Sequence, residues 1–171
     1  MACSGMSSQR IKSETKLYSH MNRRSKMLEH SRKWIAMSGV TGFIGSSLAA
    51  SFLRQGKGVV AMVRNDPEGR RTREAIEKAA RIEWADVTID YSTLLHVVPF
   101  DIEMLSVADR ERVLSCDEIW HSAAEMSFSS RKLESSYKMN VGGTNALYEL
   151  MREGRCKRFY YISTAYTGGA T

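Results

Sequence analysis

An apolar run, Ile35-Ala36-Met37-Ser38, leads directly into Gly39-Val40-Thr41-Gly42-Phe43-Ile44-Gly45, where the glycines stand three apart. The chemistry open to such a run is the cradling of phosphate. Gly39 permits a tight turn out of a strand, Gly42 lets the backbone approach a pyrophosphate, and Gly45 lets the following helix pack closely. The start of that helix offers free N–H groups and a positive dipole end, and Thr41, Phe43 and Ile44 share the same backbone cradle. Glycines at this spacing also make turns without ligands. Here the strand before them and the helix Ser46-Ser47-Leu48-Ala49-Ala50-Ser51-Phe52-Leu53 after them supply the context of a dinucleotide site. A nucleotide-hydrolase loop needs Gly-Lys-Ser/Thr, whereas Gly45 is followed by Ser46-Ser47, so ATP or GTP hydrolysis is disfavoured.

About 20 residues after such a turn, the second strand ends beside the adenosine ribose, where an acid selects NAD and an arginine accepts the extra phosphate of NADP. The strand Val59-Val60-Ala61-Met62-Val63 ends in Arg64, with Asn65 next. No acid stands at the tip, so NADP(H) is favoured, because a guanidinium pairs well with a dianionic phosphate. NAD(H) stays open as the alternative, in which Arg64 is a solvated surface charge at a strand end and Asp66 reaches a ribose hydroxyl.

These residues need a scaffold, and from Trp34 onward short apolar runs alternate with longer amphipathic ones, the rhythm of βα units. Strands are expected over 34–38, 58–63, 96–100, 118–121 and 158–163, and helices over 42–55, 68–82, 107–114 and 133–153. In the last helix Val141, Leu147, Leu150 and Met151 form an apolar stripe, and Gly154 stops it. The expected fold class is α/β: a three-layer, doubly wound, Rossmann-like parallel sheet in the order 3-2-1-4-5, ending after the fifth strand, with the glycine turn at the carboxyl ends of the strands. With 171 residues and 43% hydrophobic content, one sizeable core is the natural expectation.

Charge divides the chain unevenly. Residues 1–33 carry eight basic side chains against two acidic ones, which accounts for the whole formal net charge of +6. The rest is neutral, so nucleic-acid binding by the folded body is not indicated. The organisation read from this is a basic, disordered leader over 1–32 and a dinucleotide-binding domain over 33–171. The leader has no apolar run of signal-peptide or membrane-anchor type; a transit peptide and a start at Met21 or Met27 are the alternatives to a plain tail. Cys3, Cys116 and Cys156 are odd in number and lack metal-ligand spacing, which suits reduced thiols in a cytoplasmic protein with no metal site.

With these residues placed, the chain resembles the extended short-chain dehydrogenase/reductase family, and within it the thioester reductase and fatty acyl-CoA reductase (male sterility) branch. The marks run in order from Lys33 to Gly169: the glycine turn; Val63-Arg64; Asp101-Ile102; Asp117-Glu118-Ile119-Trp120-His121-Ser122-Ala123-Ala124; Asn140-Val141-Gly142-Gly143-Thr144; and Tyr161-Ile162-Ser163-Thr164-Ala165-Tyr166. The resemblance implies that Asp101 lies against the adenine with Ile102 beside it. It places Ser122, Ala123 and Ala124 along the cofactor near its ribose, Asn140 in support of a proton relay, and Thr164 on the substrate carbonyl. His121, at the end of a buried strand, is read as a packing histidine. The branch's small-molecule substrate is an acyl thioester reduced by hydride; a sugar epimerase or dehydratase type, or a non-catalytic dinucleotide-binding module, are the alternatives. The family's chemistry also needs a Tyr with a Lys four residues later. None of the seven tyrosines has one, and the substrate-binding part is absent from these 171 residues. Whether this chain alone is an enzyme is therefore left open, and an incompletely covered sheet edge would favour self-association.

Overall fold

The computed structural model describes residues 32–86, 88–125 and 130–163. The expected leader over 1–32 lies outside them apart from Arg32, and Thr164 lies outside them altogether.

Five strands, β1 (Trp34–Ser38), β2 (Gly58–Val63), β3 (Leu95–Pro99), β4 (Glu118–His121) and β5 (Arg158–Tyr161), form one parallel sheet. Their order is β3-β2-β1-β4-β5, the expected doubly wound, Rossmann-like arrangement. Between them run α1 (Phe43–Arg54), α2 (Arg70–Glu83), the one-turn α3 (Tyr91–Leu94), α4 (Val107–Leu114), α5 (Leu133–Tyr137) and α6 (Gly143–Glu153). No helix among the described residues is long and apolar enough to cross a membrane.

The central strands are apolar at nearly every position because both faces are covered. Successive residues therefore feed two separate cores. Ile35, Met37, Val59 and Ala61 pack with Phe52 and Leu53 of α1 and Ile76 of α2. Ala36, Val60, Met62 and Ile119 pack on the other face with Val113 of α4 and Leu147 and Leu150 of α6. Fully burying one such aliphatic side chain stabilises the fold by roughly 1.5–3 kcal/mol.

Several boundaries differ from expectation, each for a local reason. β3 begins and ends one residue early, because Leu95 is buried in the apolar ladder and the strand stops at Pro99. β5 ends at Tyr161 rather than Ser163, although the Ile162 amide still bonds the His121 carbonyl at 2.9 Å. α2 starts at Arg70 rather than at residue 68, because Asp66 caps it from outside: its carboxylate accepts from the amides of Arg71 (3.2 Å) and Thr72 (2.8 Å). The single helix expected over 133–153 is instead α5 and α6 joined by a π-helical turn, Lys138–Gly142. Of its apolar stripe, Leu147 and Leu150 are buried, Met151 is half-buried and Val141 is exposed.

Candidate functional site

The chain reverses direction across the sheet at β1: β2 and β3 lie on one side of it, β4 and β5 on the other. The two strands β1 and β4 stay paired to their last residues, Ser38 and His121, and the strand order reverses beyond them; ligands of open α/β sheets bind outside the carboxyl ends of the strands at such a point. A cleft of about 700 Å³ opens at that place.

Its floor is the glycine turn. Gly39 has φ +74°, the left-handed region, and a Cβ there would stand 2.6 Å from Ser122 Oγ and 2.7 Å from the Ala123 amide. Gly42 closes the turn with its amide on the Gly39 carbonyl at 2.9 Å. A Cβ on Gly45 would fall 2.1 Å from the Gly39 carbonyl oxygen, so this glycine is what lets α1 start directly beneath the turn. Phe43 and Ile44, in the first turn of α1, are exposed at 87% and 50%.

Gly39, Thr41, Gly42, Arg64, Ser122, Ala123 and Ala124 all line this one cleft. Gly45 is buried beneath it. Asp101 and Ile102 do not line it. Phe100, just before them, does, while Asp101 accepts from the Glu103 amide at 3.1 Å to start a 3₁₀ turn and Ile102 packs on the second core. The possibility that Asp66 reaches a ribose hydroxyl is overturned by its bonds. It is 9% exposed, and beyond the two helix amides it accepts from the Thr72 hydroxyl at 2.6 Å. Burial alone would raise its pKa, but the Thr72 and Arg71 bonds outweigh that and hold it below the ordinary 3.8.

The far wall of the cleft was not legible in the sequence. Arg71, Glu74, Ala75 and Lys78 recur at helical spacing along α2 and turn that face towards the second strand's tip. The Arg71 guanidinium donates to the Arg64 carbonyl at 2.6 Å, so two arginines and Lys78 ring this end against the one acid, Glu74. Asn65, at φ 53°, makes the left-handed turn that carries the chain past it.

At the other end, Asn140 sits in the π-helical turn and grips a backbone. Its Oδ1 accepts from the Glu125 amide at 2.7 Å, and its Nδ2 donates to the Glu125 carbonyl at 3.1 Å. His121 is fully buried as expected, but it is more than packing: Nδ1 lies 2.5 Å from Ser38 Oγ and Nε2 lies 2.9 Å from Thr144 Oγ1. Burial pushes the Cys116 thiol up to about 12, so it stays protonated.

Burial also holds two imidazoles below their ordinary 6.5: His121, and His96, where Arg112 adds to the effect and Asp109 opposes it. The unfolded chain takes up these protons near pH 6.5 and the folded chain resists them. Their contribution to stability is therefore full above pH 6.5 and declines as pH falls below it. The carboxylates of Asp66 and Glu118 act the same way in a lower window, below their ordinary 3.8 and 4.5. Thermal unfolding across pH 5–8 is expected to show Tm falling below about pH 6.5, with a shallower fall in His96→Phe, which keeps the stack on Trp34. A Tm independent of pH over that range would contradict it.

Residues 37–171 match the sequence profile of the male sterility protein family. Among solved structures, the chain is 26% identical, with a TM-score of 0.63, to the terminal R domain of the myxalamid PKS-NRPS biosynthetic pathway, covering 78% of this chain and 35% of that one. It is 25% identical to the PhqB reductase domain from Penicillium fellutanum (TM-score 0.59; 83% and 40%). A UDP-glucose-4-epimerase from Stenotrophomonas maltophila, solved with bound NAD, shares the fold at 20% identity (TM-score 0.57; 82% and 39%). A non-canonical nonribosomal peptide synthetase, cpsA, from Aspergillus campestris is 27% identical over 146 residues, 80% of this chain but 14% of that protein. The chain thus spans well under half the length of the proteins it matches.

Proposed function

The chain belongs to the male sterility protein family of NAD(P)-binding domains, and on that footing we propose that it is the NADP(H)-binding portion of a reductase that transfers hydride to the carbonyl of an acyl thioester. The observation that carries this reading is the cleft itself. A glycine turn that tolerates no Cβ at Gly39 or Gly45 leaves a helix N-terminus open to a pyrophosphate, with small residues, Ser122, Ala123 and Ala124, along the way to the reacting end. In this reading Thr41, Phe43 and Ile44 contribute the cradle. Asn140 supports the proton relay through its turn, and Thr164 orients the carbonyl oxygen.

The preference for NADP(H) over NAD(H) rests on charge. In this reading Arg64, Arg71 and Lys78 take the adenosine phosphate against a single lining acid, Glu74, while Asp66 is consumed as a helix cap. When bound, the nicotinamide supplies hydride; the residues of this chain hold the dinucleotide and fix its orientation. Calorimetric titration of the chain with NADPH and NADH is expected to favour NADPH. Arg64→Ala should weaken NADPH about 10- to 100-fold, the worth of a charge-assisted pair, and leave NADH within about twofold. Equal affinity for the two dinucleotides, or equal losses on substitution, would refute the assignment of Arg64.

A further inference from the structure

The Ser38–His121–Thr144 chain of hydrogen bonds runs through the interior from the phosphate-binding turn to the Asn140 turn, and its directions can be worked out from the hydrogens available. Thr144 Oγ1 has one hydrogen and donates it to the Asn140 carbonyl at 2.5 Å. Towards His121 Nε2 it can therefore only accept, so Nε2 carries the proton. In the fully buried, neutral ring Nδ1 is then a bare acceptor, and the Ser38 hydroxyl donates to it. Ser38 Oγ in turn accepts from the Ala123 amide at 3.4 Å, while the Ser38 carbonyl accepts from Ser122 Oγ at 2.8 Å. Every donor has one acceptor, and the bonds run in one direction through a single neutral imidazole, from the Ala123 amide to the Asn140 carbonyl. Aromatic rings enclose it: Phe100 and Tyr161 stack at 6.5 and 5.4 Å, and Phe159 lies at 6.3 Å.

From this we infer that His121, as its neutral Nε2–H tautomer, is a positioning residue that fixes the glycine turn relative to Asn140. One arm holds Ser38, the residue immediately before Gly39. The other holds Thr144, which engages the Asn140 carbonyl while the Asn140 side chain clamps the Glu125 backbone. Single π-helical turns within helices recur at functional sites, and here the Thr144 hydroxyl donates to a carbonyl of that turn. His121 does not itself line the cleft, so its effect on a bound dinucleotide passes through the turns that it holds. The inference deepens the proposed function, since the two ends so joined are the pyrophosphate cradle and the relay asparagine.

The test uses residues 1–171 labelled with ¹⁵N. Long-range ¹H–¹⁵N correlation of the His121 ring should show a protonated Nε2 and a bare Nδ1 at pH 7.5. Thr144→Val, which keeps the shape and removes the hydroxyl, should move the Glu125 and Gly39 amide resonances and weaken NADPH binding about 3- to 10-fold, the worth of one hydrogen bond. Thr144→Ser should restore both. A protonated Nδ1 would overturn the inference, as would a Thr144→Val chain with Glu125 and Gly39 unmoved, or a failure of Ser to rescue. If Thr144→Val does not fold, the wild-type tautomer and the Thr144→Ser spectrum decide the matter. If wild-type protein takes up neither NADPH nor NADH, the proposed function fails, while the tautomer and the Glu125 amide still decide the role of His121.

Discussion

Residues 1–171 are expected to bind a dinucleotide without turning it over on acyl-CoA or aldehyde substrates. Hydride transfer to a carbonyl needs a proton donor in step with it, and a positioned general acid or base contributes a factor of about 100 to 10,000. Four residues beyond Tyr18, Tyr91, Tyr137, Tyr148, Tyr160, Tyr161 and Tyr166 stand Asn22, Leu95, Val141, Arg152, Thr164, Ala165 and Ala170, so no phenol has the lysine partner that would activate it. The hydroxyl of Thr164 can orient an oxygen but ionises far above neutral pH. A substrate held by only part of its site also forgoes much of the roughly 7–11 kcal/mol that positioning can supply. The measurement is NADPH absorbance over a panel of acyl-CoA and aldehyde substrates. Sustained turnover that disappears in Thr164→Ala would show a complete catalytic route within these residues and would sink the expectation.

Gly45→Ala should sharply weaken dinucleotide binding and destabilise the fold together. The added carbon has nowhere to go: its nearest neighbours are the Gly39 carbonyl oxygen at 2.1 Å, which is backbone, and Ser122 Oγ at 3.0 Å. Either α1 moves away from the turn or the turn opens, and both displace the amides that would face the pyrophosphate. Overpacking of this kind costs about 1–3 kcal/mol of stability. Loss of one or two charge-assisted hydrogen bonds adds a fall of about 10- to 1,000-fold in NADPH affinity. Gly142→Ala is the matched control, because nothing lies within 4 Å of a Cβ there; it should keep its affinity and Tm. Thermal unfolding and calorimetry on the two variants check both parts. A Gly45→Ala chain that binds NADPH like wild type would mean that the turn is not the cradle.

Much of this scaffold is legible in the sequence because its signals are local. β1, β2, β4 and α4 have the expected bounds, since each is an uninterrupted apolar or amphipathic run between punctuating residues. The order of the strands followed from the alternation of elements. What escaped depends on contacts between distant segments. Asp66 looked free to serve a ribose because nothing local announces that Thr72 will claim its carboxylate. The basic face of α2 became visible only once the helix was docked beside β2. The π-helical turn was hidden because a run with helical periodicity looks the same with one residue extra in a turn. His121 was rightly read as buried, yet its two polar partners, Ser38 and Thr144, lie 83 and 23 residues away in the chain. The strand-end serine before Gly39 and the threonine after Asn140 were the only available clues.

Whether the glycine-turn cleft holds the dinucleotide is read most directly by amide chemical-shift mapping. On titrating NADPH into ¹⁵N-labelled residues 1–171, the amides of Gly39, Thr41, Gly42, Arg64, Ala123 and Ala124 are expected to shift together and saturably. Those of Ala108, Glu111 and Ser115, which line a separate pocket beside Trp34 and His96, should stay in place. Saturable shifts confined to that second pocket, or none anywhere at millimolar NADPH, would show that this cleft does not hold it.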